Sequence, residues 1–218
     1  MILADPKNRE EWLQARTQGI GGSDAGCIVG ANPWKSARQL WREKSGIDTP
    51  PDISDKPAVR FGKEAEQHLR AIFLLDHPEY SCEYHEFRMY ANDHHNWLYA
   101  TLDGELTLTA TGRRGIYEGK TTEIKRPEQW EDWNGCIPQH YYVQILHQML
   151  ACEWAEFVVL YACIRYTTTD GDRRITIREY TIERSCVSED LAWLLDQEKP
   201  FWNKIEKGIE PPDLLPEI

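Results

Sequence analysis

Three residues in one short stretch have the types and spacing to do chemistry together. Asp103 sits in ATLDG, and Glu118 and Lys120 flank a glycine in YEGKTT. Alternate side chains of a strand share a face, so Glu118 and Lys120 point one way while Tyr117 and Gly119 point the other. A hairpin that brings Asp103 alongside places two carboxylates and one ammonium at a strand end. Such a group can hold a hard divalent cation, and the backbone carbonyl of Gly119, exposed for want of a side chain, can add a further oxygen ligand. Hydrolysis of a phosphodiester calls for this set. The scissile phosphate is anionic and repels hydroxide until cations neutralise the developing charge. A lysine then positions the attacking water or stabilises the pentavalent transition state. Blander accounts exist for each part: a turn aspartate beside glycine, and a cross-strand or solvent-face Glu/Lys pair. Spacing alone does not choose between them.

The elements that must position these residues follow from periodicity and punctuation. Residues 81–90, 96–110 and 115–122 read as β-segments, with GRRG at 112–115 as a hairpin turn. Residues 61–75 form an amphipathic helix with Phe61, Ala65, Leu69, Ile72 and Phe73 on its apolar stripe. Glu66 on its polar side offers a carboxylate for a second cation, although a solvated helix face is the plainer reading. Short helices are expected at 8–16 and 127–135, a longer one at 137–151, and strands at 156–166 and 173–182. In TQGIGGSDAG, Ser23 or Asp24 falls where a helix N-cap belongs; Ser36 caps a further helix that Gly46 closes. Residues 47–58 carry three prolines and read as an exposed loop. The segment 187–207 is helical with a break at its proline, and a proline-rich tail follows. Helices, mixed strands, helix, strands, helix: this order predicts an α/β (α+β) core in a single domain over 1–218, without repeat or linker.

Composition sets limits. The chain of 218 residues is 41% hydrophobic and 11% aromatic, enough for a sizeable core and unlike a disordered chain. Its net charge of -11, from 36 acidic and 25 basic residues, argues against a nucleic-acid partner, because phosphate contacts need Lys and Arg. A DNA-processing protein of this balance must concentrate its cations locally. The six cysteines are dispersed with no CxxC pair, the pattern of buried free thiols rather than of zinc or an iron–sulfur cluster. The opening MILADPKNREE turns polar at once, unlike a signal peptide, and no apolar run approaches the roughly 18 residues of a membrane span. A soluble, cytoplasmic protein with reduced thiols and no membrane partner is expected.

Taken in order, Arg16…GIGGSDAG…GANPWKS…LW…KSG, Gly62-x-x-x-Glu66, ATLDG, EGKTT and IPQHYYVQILHQM resemble the phage λ exonuclease / YqaJ viral recombinase family of the PD-(D/E)xK nuclease superfamily. The likeness runs from about Arg16 to Ala162. It implies a restriction-endonuclease-like core at about 60–165, with a central mixed β-sheet flanked by helices. The helical part at 8–46 then contributes a 5′-phosphate pocket, and a C-terminal helix occupies 187–207. The activity implied is a Mg²⁺-dependent 5′→3′ exonuclease that digests one strand of linear double-stranded DNA, with two ions per site and Mn²⁺ as a substitute. A ring-shaped homotrimer, a single-strand annealing partner and a phage or prophage origin in a bacterial cell are implied with it.

Residue by residue, the resemblance makes Asp103 and Glu118 metal ligands with the Gly119 carbonyl, Lys120 the catalytic lysine, and Glu66 the acidic residue of the GxxxE helix. Gln144 matches a helix glutamine neighbouring the lysine, with Gln148 on the same face. Arg16, Ser23 and Thr101 match the pocket for the 5′-phosphate, a task suited to a guanidinium and hydroxyls near a helix start. Leu102 stands where many superfamily members carry proline, a residue that shapes the strand end and does no chemistry. Lys35, Arg38, Lys63, Arg70, Lys125 and Arg126 are candidates to line a DNA channel. Trp34, Trp130 and Trp133 read as core or interface aromatics rather than base-stacking platforms. An endonuclease, a single-strand-specific nuclease and a non-catalytic DNA-end scaffold are the alternatives.

Overall fold

The computed structural model describes residues 1–212; the end of the expected proline-rich tail, 213–218, lies outside the described residues. In chain order the elements are β1 (Ile2–Ala4), α1 (Arg9–Ala15), a 3-10 turn (Arg16–Gln18), α2 (Gly22–Ile28), α3 (Ala37–Lys44) and α4 (Pro57–Asp76). There follow β2 (Tyr80–Glu83), β3 (Met89–Ala91), β4 (Tyr99–Ala100), β5 (Gly104–Leu108), β6 (Arg113–Ile124) and a 3-10 helix (Pro127–Trp133). The chain continues through α5 (Gln139–Ala151), β7 (Phe157–Thr167), β8 (Arg173–Glu183) and α6 (Ser188–Glu206). The main sheet has the order β2-β5-β6-β7-β8, and β1, β3 and β4 form a small second sheet. Among the described strands only β6 and β7 pair in parallel, and α5 is the crossover that a parallel pair requires. The result is a mixed α/β architecture with a central mixed sheet flanked by helices.

Both faces of that sheet are covered, which explains the unbroken apolar run of β7. Phe157, Val159, Tyr161 and Cys163 pack with Leu69 and Phe73 of α4. The alternate residues Val158, Leu160, Ala162 and Ile164 pack with Val143 and Leu146 of α5 and Leu191 and Leu194 of α6. Each fully buried side chain of this size contributes about 1.5–3 kcal/mol. A separate cluster of Ile20, Cys27, Leu40, Trp41 and Phe201 fastens the N-terminal helices to α6. Among the described residues, no helix is long and apolar enough to cross a membrane.

Several local expectations change. The segment 81–90 divides into β2 and β3, which enter different sheets, and β1 pairs with β3 although nothing in its three residues marks a strand. The hairpin turn closes one step earlier than GRRG suggests: Gly112, at φ 73°, takes the left-handed position, and Arg113 and Arg114 already pair with Leu108 and Thr107. Ser23 is not an N-cap. Gly21 holds that place, and Asp24 accepts its N–H at 3.0 Å. Ile72 is 46% exposed, because α4 meets the sheet through Leu69 and Phe73 alone among its buried residues. Pro200 does not break α6. It faces solvent, where the carbonyl left without a donor can be hydrated, and the burial of Leu194, Glu198 and Phe201 on either side offsets the roughly 3 kcal/mol that an interior proline costs. Trp133 is core and Trp130 packs against it, whereas Trp34 is 75% exposed, edge-on to His140.

Candidate active site

The site begins where one strand stops short. β5 starts at Gly104, opposite Tyr117, so the rest of β6 has no antiparallel neighbour on that side. Asp103, the residue just before β5, fills the gap: its Oδ2 accepts the Gly119 N–H at 2.9 Å. Gly104 permits this because a Cβ there would stand 2.5 Å from the Cys82 sulfur. Glu118 and Lys120 share a face and form an ion pair. From α5, Gln144 donates to Glu118 Oε1 at 2.7 Å and Gln148 to Oε2 at 2.6 Å. From α4, Glu66 faces the same region, 3.6 Å from Arg70. Arg70 also donates to the Asp103 carbonyl at 2.7 Å and lies 3.8 Å over the ring of Tyr84. Gly62, Glu66, Leu69, Asp103, Gly119, Lys120 and Thr121 line a cleft of about 220 Å³.

Negative charge dominates this cleft. Burial, and next the charge of Glu118, hold the Asp103 carboxyl well above the usual carboxylate range. Burial likewise raises Glu66, against the attraction of Arg70 and with the repulsion of Glu118. Burial alone would lower Lys120, but Glu118 and Asp103 outweigh it and hold the ammonium firmly charged. Desolvated carboxyls that repel one another form a hard-oxygen donor set that a divalent cation relieves. The donor chemistry therefore fits such an ion. Among the described residues no three acidic, His or Cys side chains stand ready to chelate one as they are, and Glu118 is turned to Lys120 and the two glutamines. Ligation through Glu118 would require it to leave part of that set.

A second polar group lies at the start of the chain. Arg16 donates to Ser23 Oγ at 3.0 Å and sits 4.5 Å over the ring of Trp12. The Trp12 indole N–H donates to Thr101 Oγ1 at 3.0 Å. Arg16, Ser23 and Thr101, scattered over 86 positions (101 − 16 + 1), thus meet around one tryptophan. The Arg16 carbonyl accepts from Lys44 at 2.8 Å and from the Tyr99 hydroxyl at 3.0 Å. Lys44 also pairs with Asp24 at 2.8 Å. Burial opposes ionisation of Asp24, but Lys44 and Arg16 prevail and draw its carboxyl down to about 2. Glycines before and at the start of α2 allow this proximity: a Cβ at Gly19 would stand 2.2 Å from the Trp97 carbonyl oxygen, and one at Gly22 3.2 Å from Gln144 Cγ.

The residues expected to hold the metal, do the chemistry or bind the 5′-phosphate therefore lie in one of two neighbouring groups. Gln144 bonds Glu118 rather than Lys120, and Gln148 joins it. Sequence reading missed Trp12, Lys44, Asp24, Tyr84 and Tyr99. Only Asp24 carried a signal, its place beside Ser23 in the glycine-rich approach. Of the channel candidates, Arg70 belongs to the cleft, Lys35 pairs with Glu43 at 2.5 Å and Arg38 with Glu210 at 2.7 Å. Lys63, Lys125 and Arg126 are exposed. All six cysteines are free, three of them buried.

The fold has known counterparts. The fold is that of an alkaline exonuclease from Laribacter hongkongensis, LHK-Exo: the structures superpose with a TM-score of 0.62 at 18% identity, over 92% of this chain and 94% of that one. The complex of that enzyme with dAMP gives a TM-score of 0.61 over the same shares. A family model for the YqaJ-like viral recombinase domain matches residues 11–155, from within α1 through α5 to just before β7. The chain belongs to that family. The YqaJ protein of Bacillus subtilis (strain 168) is 31% identical over 224 residues, covering 95% of this chain, which spans 59% of that relative's length.

Proposed function

We propose that the protein is a metal-dependent exonuclease that digests one strand of linear duplex DNA in the 5′→3′ direction. It leaves 3′ single-stranded tails for phage-type recombination by single-strand annealing. One observation carries the reading: a cleft at which Asp103, Glu66 and the adjoining Glu118 outnumber Lys120 and Arg70, beside a cationic group of Arg16, Ser23 and Thr101. The first group suits a divalent cation and a scissile phosphate, the second a terminal phosphate. A solved protein of this fold holds dAMP, a mononucleotide of the kind an exonuclease releases.

In this reading Asp103, Glu118 and the Gly119 carbonyl hold one Mg²⁺ and Glu66 contributes to a second, with Mn²⁺ able to replace them. Bound there, such ions would supply Lewis acidity toward a water and the phosphate and would offset the developing negative charge. Lys120, fully charged and lining the cleft, directs an ammonium at the attacking oxygen or the phosphoryl oxygen. Arg70 fixes the backbone of Asp103 while holding Glu66 one helical turn away. Gln144 and Gln148 keep the Glu118 carboxylate buried on the α5 side. Arg16, backed by Trp12 and steadied through its own carbonyl, grips the 5′ end and so fixes which strand enters. A ring-shaped homotrimer and a single-strand annealing partner belong to the same proposal.

The test is digestion of linear duplexes that differ only in the 5′-phosphate, with Mg²⁺ or with EDTA, following products from each end. Loss of the phosphorylated strand from its 5′ end in Mg²⁺ alone is expected. Cutting of closed circles would replace the reading with an endonuclease, and attack on single strands alone with a single-strand-specific nuclease. Calcium-supported binding without cleavage in Mg²⁺ would leave a DNA-end scaffold.

A further inference from the structure

Helix α5 places a third polar side chain in the interior, and the chemistry above does not use it. Gln144 and Gln148, four positions apart, share the face toward Glu118. His147 points elsewhere and is fully buried. Its Nδ1 lies 2.7 Å from Glu198 Oε1 of α6, while its Nε2 lies 3.1 Å from the Ile20 carbonyl oxygen and 2.9 Å from that of Tyr99. Carbonyl and carboxylate oxygens only accept, so a neutral ring would turn a lone pair toward an acceptor, whereas an imidazolium donates on both sides. Burial works against that charge and Glu198 outweighs it, raising the His147 pKa. The charged groups facing the ring are Glu198 from α6 and, farther off, Asp24 from α2, itself paired with Lys44 of α3. β4 and the segment before α2 present backbone carbonyls to it.

Those two carbonyls belong to the segments that build the end pocket. Ile20 leads through two glycines to Ser23. Tyr99 precedes Thr101 by two residues, and its hydroxyl holds the Arg16 carbonyl. Ile20 and Tyr99 are themselves joined, the Tyr99 N–H donating to the Ile20 carbonyl at 3.0 Å. One imidazole edge therefore clamps both strands of the pocket to the helix whose next turn holds Glu118. Gly22, packed against Gln144, leaves no slack at the same junction.

We propose that His147 is a positioning residue: an imidazolium anchored by Glu198 that keeps the 5′-end pocket at a fixed distance from the cutting centre, and so carries the preference for phosphorylated ends. This rests on the exonuclease reading above. A histidine that merely filled the core would, on substitution, slow digestion of every end alike. A shift of the pocket by about 1 Å instead costs up to roughly a hundredfold on the substrate it aligns.

The full-length protein and its His147→Gln and Glu198→Gln variants are to be compared on duplexes ending in 5′-phosphate or 5′-hydroxyl, with folding followed by circular dichroism. The expected result is a fall of about tenfold or more in the phosphate-to-hydroxyl rate ratio in both variants. A ratio kept within about twofold of wild type in either folded variant overturns the inference and leaves the exonuclease reading intact. Equal rates on the two ends in wild type overturn the end-pocket reading and the inference together. Should both variants fail to fold, ¹⁵N spectra of the wild-type imidazoles decide: protons on both His147 nitrogens at pH 8 support the clamp, and a neutral ring refutes it.

Discussion

The proposed cutting centre and the proposed end pocket are neighbours built on opposite electrostatic plans. Around Asp103, three carboxylates face one ammonium and one guanidinium, and burial raises Asp103 and Glu66. Around Arg16, two cations share one carboxylate, and that carboxylate is drawn down to about 2. An excess of buried negative charge suits a site that takes up a cation; an excess of positive charge suits one that takes up an anion. This pairing also answers the objection raised by the net charge of -11. On the proposed reading only the places where phosphate docks need be basic, and around Arg16 the cations are few and held in place.

Substitutions should affect the two regions differently. The largest effect is expected from Lys120→Ala, which should lower turnover by roughly a thousandfold or more while leaving binding of phosphorylated duplex intact. Single-turnover digestion beside a filter-binding assay checks this, and an active variant would remove Lys120 from the mechanism. Glu66→Gln should act next, raising the Mg²⁺ concentration for half-maximal activity by about tenfold with little change at saturating metal; a Mg²⁺ titration reads it. Arg16→Ala should spare metal dependence and cut the preference for phosphorylated ends by about tenfold or more, the worth of one charged hydrogen bond. A change in metal demand instead would undo the division between the regions.

The smallest effect concerns stability. Asp24 has a folded pKa near 2, below its ordinary value, so its ionised form is favoured by folding. Its contribution, about 2 kcal/mol, is present above about pH 4 and lost as pH falls toward 2. Denaturant unfolding of wild type and Asp24→Asn between pH 5 and 2 should show the difference between them shrinking over that window. A constant gap would mean that Lys44 and Arg16 do not stabilise the charge.

Much of the cleft was legible because its geometry is local. Glu118 and Lys120 share a face by strand alternation, and Asp103 lies one hairpin away. Gln144 and Gln148 fall one helical turn apart in a segment whose apolar pattern already reads as a helix. The elements recovered from pattern, α1, α3, α4, α5, β7 and β8, are those with caps or sustained periodicity. β1 escaped because three residues hold no period, and the intact α6 because the cost of a proline depends on which way it faces.

By itself, the sequence determined the α/β order, the strand that bears Glu-Gly-Lys and the helix that bears Glu66, since each follows from spacing within a few turns or strand steps. Tertiary structure alone decided what those residues touch: that Gln144 and Gln148 enclose Glu118, that Trp12 joins Arg16 to Thr101, and that His147 ties Ile20 to Tyr99. Apart from Trp12 and Arg16, which are near in sequence, these partners lie between 26 and 127 positions apart. Contacts at such separations depend on how the layers pack, and a linear pattern carries no period that could announce them.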